Sequence, residues 1–266
     1  MHKLARQVPL TISPLLSQPD KNQNRSVAGP SDEGLTIFLQ LGVELTGPVN
    51  PDTGLIVNVT TIDDKVHEHI VPLLSKHIGQ DFKQGKRVDI SELSRLLYLT
   101  WDTLSDKFDN AALNKLTLTL NPFRKISINS EDKEMIYLSE KFEFAATHRL
   151  WNDDFSEKQN FDVFGKCANP SGHGHNYTAE VVVKLPSDRR SLHLGSLEQI
   201  VGDNFINLVD HRNLNVDVPH FAKTIPTVEN IAAFAWGILA DKFGEAKLHC
   251  VTIWETDKTY CSYYGE

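Results

Sequence analysis

The chain has 266 residues, a formal net charge of −8, and 40% hydrophobic and 23% charged residues. That length holds one large domain or two small ones, and the composition is that of an ordinary soluble globular protein. The negative balance argues against a general nucleic-acid-binding surface. No run of about 18 apolar residues appears, so no membrane span is expected, and the first residues lack the continuous apolar core of a secretory signal.

In chain order, Val8–Ile12 reads as a strand, and residues 1–34 then become polar and turn-rich through Gln18–Ser26, which reads as a mobile loop. Leu35–Leu45 is the next strand candidate, and Pro48–Gly54 supplies a turn. Val66, Ile70, Leu73, Leu74 and Ile78 predict a helix over 63–78, with Pro72 placed to kink or divide it. Ser91–Phe108 is a clearer amphipathic helix, striped by Leu93, Leu96, Leu97, Trp101 and Leu104. Strands follow over 116–120 and 125–129, and the polar Ser130–Glu134 marks a boundary between halves, 1–134 and 135–266. The second half repeats the order: strands 136–149 and 175–185, helices 196–209 and 227–243, strands 248–255 and 259–264.

The repetition extends to residues. Trp101–Phe108 aligns with Trp236–Phe243 at an offset of 135 (236 − 101), and the same offset pairs Leu113 with Leu248 and Thr117 with Thr252. A duplicated ββααββ unit is the reading, an α+β fold in which each antiparallel sheet carries two helices on one face. At this offset Glu255 falls on Leu120, and Asp210 and His211 fall on Ser75 and Lys76, so the first copy has lost the polar residues. His67 and His69 do not replace them, because residues two apart on a helix diverge; that pair reads as a solvated face.

The densest polar pattern is Phe161–Tyr177, where Cys167 stands six residues ahead of His173 and His175 follows. The intervening Asn, Pro, Ser and Gly read as a loop, and the β-rich stretch from Tyr177 to Leu185 reads as a strand. Residues two apart on a strand share a face, so His173 and His175 present two imidazoles side by side. Upstream, alternating Phe142, Phe144 and Ala146 place His148 on that same side of another strand. Pairing the two strands would bring three imidazoles together, a set that holds a catalytic zinc with one position left for water or substrate.

From about residue 136 onward, roughly half the chain, the sequence resembles the 6-pyruvoyl-tetrahydropterin synthase family of the tunnelling-fold superfamily. The segments that carry the resemblance are Thr147–Leu150, Phe164–Tyr177, Val209–Leu214, Thr227–Asn230 and Trp254–Asp257, in the family's order. The Cys-to-His spacing is closer to the pyruvoyl enzymes than to the related 6-carboxytetrahydropterin synthases, whose loop is shorter. The resemblance implies tandem tunnelling-fold units, the first a degenerate copy. It implies zinc on His148, His173 and His175, Cys167 as general base and proton carrier, and Asp210 and His211 in its relay. It also implies Glu255 as the carboxylate that anchors the pterin by accepting two hydrogen bonds. Thr227 and Glu229 match positions near the pterin pocket, although Thr227 would serve equally as a helix N-cap.

Read by themselves, the adjacent Asp210 and His211 are not placed to hydrogen-bond with each other. A thiol with its ordinary pKa of about 8.5 needs positive charge to ionise, which zinc or Lys166 would bring to Cys167. The implied reaction converts 7,8-dihydroneopterin triphosphate to 6-pyruvoyl-tetrahydropterin, with no nicotinamide or flavin, and Arg149, Lys166, Arg189 or Arg190 are available to the triphosphate. A carboxy-pterin product and pterin binding without turnover are the alternatives. One departure lies in Ser187–Gly195, which lacks the family's Gly-hydrophobic-Val-x-Asp turn; Gly54–Asn58 in the first half comes closer. Family members form rings with active sites between subunits, so a homo-oligomer is expected, acting on a small-molecule pterin with neither nucleic acid nor membrane as partner. Cys250 and Cys261 lie in strand-like segments that suit buried free thiols, which points to a reducing, cytoplasmic setting.

The loss of polar residues from the first copy sets the metal stoichiometry. Atomic spectroscopy should find about one zinc per chain, given one three-histidine cluster. A second tightly held equivalent that disappears on mutating N-terminal histidines would contradict the scaffold role of the first half.

Overall fold

The computed structural model describes residues 1–13, 36–86, 88–186 and 194–266. The loop expected over Gln18–Ser26, the divergent segment starting at Ser187, and Arg189 and Arg190 lie outside the described residues. The chain divides into two compact units, Met1–Leu138 with Leu185–Arg190, and Ser139–Lys184 with Ser191–Glu266.

In the first unit, β1 (His2–Ile12), β2 (Ile37–Gly47), β3 (Ala112–Asn121) and β4 (Arg124–Asn129) lie side by side in that order, each pair antiparallel. The register sets Leu4 on Leu45, Val8 on Leu41 and Leu10 on Leu39, so one face is aliphatic; Leu116, Leu118, Ile126 and Ile128 continue it, all buried. Between β2 and β3 run α1 (Val59–Lys65), a π-helical segment Val66–Ile70, α2 (Val71–Lys83) and α3 (Ile90–Leu104). The predicted stripe of α3 is buried throughout, from Leu93 to Leu104. Asp89 caps this helix by accepting from the backbone N–H of Glu92 at 3.0 Å.

Pro72 does not kink a single α-helix. The chain widens into the π segment just ahead of it, and Pro72 then occupies the first turn of α2, where its missing N–H matters least. His67 and His69 fall in that π segment and are half-buried, which corrects the expectation of a solvated face; Glu68 takes the exposed position between them.

The second unit takes most of β5 (Met135–His148) and β6 (His173–Pro186), with a two-residue β7 (Arg212–Asn213), β8 (Lys247–Thr256) and β9 (Thr259–Tyr263). The sheet order is β5-β6-β8-β9, with β7 pairing parallel to the end of β5 at Ala146 and Thr147. Its helices are α4 (Glu157–Phe164), α5 (Leu194–Val201), a π segment Gly202–Ile206, α6 (Asn207–Val209), α7 (Leu214–Asp217) and α8 (Val228–Leu239). The π segments begin 136 residues apart (202 − 66), one between α1 and α2 and the other between α5 and α6. The β2–β3 and β6–β8 ladders each shift register once. Two ββααββ units, α+β with antiparallel main sheets, are the architecture.

The spacer Asn169–Gly172 ahead of His173 is a loop and turn, as its Pro and Gly suggest, and the chain before it is regular. Ser156 and Gln159 form a capping box that starts α4, and a 3₁₀ turn, Gly165–Ala168, follows and carries Cys167. Among the described residues, no helix is long and apolar enough to cross a membrane.

Arg6 supplies the polar tie of the first unit. Its guanidinium donates to both carboxylate oxygens of the buried Asp63 in α1, Nε to Oδ1 at 2.8 Å and Nη2 to Oδ2 at 2.7 Å. Asp63→Asn should lower the unfolding free energy by about 2 kcal/mol, the range for hydrogen bonds between charged groups. Urea unfolding would measure it; a change under about 0.5 kcal/mol would mean the pair behaves like a screened surface bridge.

Candidate active site

His148 is the last residue of β5 and His173 the first of the neighbouring β6. Glycines let these strand ends come together. Gly172 has φ +64, and a Cβ there would lie 2.9 Å from the His148 carbonyl oxygen; one on Gly174 would meet the Thr147 methyl at 3.1 Å. The Gly-His-Gly-His pattern is thus a requirement of close packing as well as of ligand spacing.

The three imidazoles converge. His148 Nε2 and His173 Nε2 are 3.1 Å apart, and the three rings have centroid separations of 4.5, 5.3 and 4.8 Å. One ring nitrogen from each residue lies within 4.8 Å of the other two. Tetrahedral zinc with Zn–N bonds of about 2.0–2.1 Å needs nitrogens roughly 3.3 Å apart, so the cluster fits such an ion with little adjustment.

Tautomer and charge agree with that fit. The His148 Nδ1–H donates to the Pro226 carbonyl at 2.8 Å, because a carbonyl can only accept, and this leaves Nε2 as a lone pair facing His173. Burial pushes the His148 and His173 pKa values below the ordinary imidazole range, which keeps both rings neutral and able to ligate. His175 Nε2 is buried with no hydrogen-bond partner among the described residues. An orphaned buried nitrogen is costly unless an ion or water completes it.

Glu255, near the end of β8, stands beside this cluster, with Oε1 3.4 Å from His148 Nε2 and 3.6 Å from His175 Nε2. Tyr177, two residues beyond His175 on β6, is fully buried, stacked on Phe144 at 4.9 Å with its hydroxyl 3.4 Å from His148 Nδ1. Burial, then the Glu255 charge, raises its phenol far above the usual range, so it stays protonated. Parity along the strand could have flagged Tyr177; no sequence signal marks the Pro226 carbonyl.

Cys167 is half-buried. Burial first, and then the Glu255 carboxylate, push its thiol up. This corrects the expected lowering by Lys166: desolvation and a nearby negative charge both favour the neutral thiol.

Asp210 and His211 do hydrogen-bond to each other, which corrects the expectation that neighbours would not. His211 has φ +55, and this left-handed backbone turns the ring back so that Nδ1 meets Asp210 Oδ2 at 2.9 Å. Ala145 of β5 fixes the geometry, its N–H donating to Asp210 Oδ1 at 2.9 Å and its carbonyl accepting from the His211 N–H at 2.6 Å. The His211 side chain is 82% exposed. It lines a cleft of about 360 Å³ together with His175, Asn176 and Gly174. No hydrogen bond joins His211 to Cys167 among the described residues. Thr227 is the N-cap of α8, its Oγ1 accepting from Asn230 N at 3.4 Å, and Glu229 lies in the first turn of that helix.

Comparison with known proteins gives a family model, 6-pyruvoyl tetrahydropterin synthase, that matches residues 137–266. The chain is 36% identical over 132 residues to the 6-pyruvoyl tetrahydrobiopterin synthase of Homo sapiens, covering 48% of this chain and 91% of that protein. The structure of Caenorhabditis elegans 6-pyruvoyl tetrahydropterin synthase aligns with 50% of this chain and 96% of its own, at 34% identity and a TM-score of 0.47. The uricase from Arthrobacter globiformis aligns with 99% of this chain and 92% of its own, at 7% identity and a TM-score of 0.47.

The Ala145 N–H, and next the His211 ring, hold the Asp210 carboxyl below its usual range. A depressed folded pKa means a contribution to stability that is present above the unfolded value of about 3.9 and lost as pH falls through the folded one. Asp210→Asn should therefore be less stable than the parent at pH 7, with the gap closing in acid below about pH 4. A gap unchanged between pH 7 and pH 3 would contradict this anchoring.

Proposed function

The chain belongs to the 6-pyruvoyl tetrahydropterin synthase family, and from that premise we propose that its second unit converts 7,8-dihydroneopterin triphosphate to 6-pyruvoyl-tetrahydropterin with release of triphosphate. The observation that supports this most is the convergence of three imidazoles with the Glu255 carboxylate beside them.

In this reading His148, His173 and His175 hold zinc. When bound, the ion supplies a Lewis acid that stabilises negative charge developing on substrate oxygens. The protein's side chains do the rest. Glu255 accepts hydrogen bonds from the amino and ring N–H groups of the pterin, with Thr227 and Glu229 at the rim of the same pocket. Cys167 takes a proton from a side-chain carbon and later returns it, as general base and then acid. His211, with Nδ1 held by Asp210, moves a proton through its free Nε2.

His211 is largely exposed and makes no hydrogen bond to Cys167 among the described residues. That favours a homo-oligomer in which a site is completed near a subunit boundary, with the first unit as scaffold. The free thiols Cys167, Cys250 and Cys261 suit a reducing, cytoplasmic setting.

The test is to incubate purified protein with dihydroneopterin triphosphate and identify the pterin formed. The pyruvoyl product is expected; acetaldehyde release would identify the carboxy-pterin reaction, and no turnover would leave a binding protein. Cys167→Ala should keep zinc and substrate binding while kcat falls by about 10²–10⁴-fold, the range for a general acid–base group. Full activity in Cys167→Ala would remove it from the mechanism.

A further inference from the structure

We propose that Arg149 is a positioning residue that fixes the Cys167 turn to the strand end bearing the metal ligand His148. The proposal rests on Cys167 being the proton carrier. Arg149 follows His148 directly, and both of its backbone groups are captured by one side chain. The Arg149 N–H donates to Asn215 Oδ1 at 2.7 Å, and Asn215 Nδ2 donates to the Arg149 carbonyl at 2.9 Å. The amide of Asn215 thereby extends the strand pairing that β7 makes with β5, which stops at Thr147. Both backbone polar groups of Arg149 are therefore paired.

From this fixed point two hydrogen bonds reach the Cys167 turn. The side-chain Nε–H of Arg149 donates to the Ala168 carbonyl at 2.9 Å, and the Leu150 N–H donates to the Cys167 carbonyl at 2.9 Å. Consecutive donors therefore meet consecutive acceptors, across a loop that runs out through α4 and back. The guanidinium carbon lies 3.8 Å from the centroid of the Trp151 ring, which fixes the rotation of the side chain and aims Nε at Ala168. At its other end the loop is closed by Asn160, fully buried, whose Oδ1 accepts from Asn152 N at 2.8 Å and whose Nδ2 donates to the Asn152 carbonyl at 2.9 Å.

These contacts give Arg149, one of the four cations available to the triphosphate in the sequence, a structural role. Its Nε and one ring-facing surface are already committed to the protein. A planar guanidinium can stack and donate in its plane at once; an ammonium cannot, so lysine is a poor replacement here. The chemistry needs this tether because a proton carrier displaced by about 1 Å can lose on the order of 10²-fold in rate.

The test compares Arg149→Met, which keeps an apolar stem over Trp151, with Arg149→Lys, which keeps the charge. Four quantities are measured: zinc content, KM, kcat, and the rate at which iodoacetamide modifies Cys167, followed by peptide mass mapping. Arg149→Met should keep zinc near the parental level and KM within about threefold, while kcat falls on the order of 10²-fold. The Cys167 modification rate should shift by about fivefold as the turn loosens. Arg149→Lys should recover less than about a tenth of parental kcat. A raised KM with kcat retained would make Arg149 a substrate contact and overturn the proposal. So would zinc loss in step with kcat, parental kcat in Arg149→Lys, or a modification rate unchanged in both variants. If Arg149→Met does not fold, Arg149→Lys carries the same measurements. Activity in Cys167→Ala would instead end the proton-carrier reading, while the modification rate still reports whether the tether exists.

Discussion

The close approach of two strand ends is the constraint on which the candidate site depends. β5 stops at His148, β6 starts at His173, and no side chain fits at Gly172, where a Cβ would lie 2.9 Å from the His148 carbonyl oxygen. Only this contact lets His148 Nε2 stand 3.1 Å from His173 Nε2 with His175 on the same face. The remaining contacts hold what that approach creates. Pro226 sets the His148 tautomer, Tyr177 packs against it from within the core, and Glu255 closes the side toward β8.

Burial gives the group a common electrostatic character. It lowers the imidazole pKa values of His148 and His173 and raises those of the Cys167 thiol and the Tyr177 phenol, so all four are held neutral. The Glu255 carboxylate contributes to the upward push on both Cys167 and Tyr177. Such a surrounding favours a divalent cation, and a nearby cation is the usual means by which a buried thiol is brought to ionise. The Asp210–His211 pair is built differently. Asp210 and His211 sit at the surface and depend on Ala145 and on a left-handed backbone, with desolvation playing a smaller part.

Much of this was legible in the sequence, and the rest was hidden for physical reasons. Period-two parity put His148, His173 and His175 on one face because strand geometry is local and rigid. The 3.6-residue stripe of α3 and the 135-residue offset were legible because apolar spacing survives duplication. The turn carrying Cys167 was masked by Pro170 and Gly172, although Ser156 and Gln159 gave a capping signal ahead of it. The Asp210–His211 bond depends on a positive φ that a non-glycine residue rarely adopts. The Pro226 carbonyl and the Asn215 clamp join residues far apart in the chain, and no local pattern encodes them.

The central claim is a division of labour, in which three imidazoles hold the metal and the thiol stays free to carry protons. Zinc K-edge absorption spectroscopy on the zinc-loaded protein tests it most directly. The account predicts about three imidazole nitrogens at about 2.0–2.1 Å, a lighter fourth ligand and no sulfur shell. A sulfur at about 2.3 Å, lost in Cys167→Ala, would make Cys167 a ligand and contradict it.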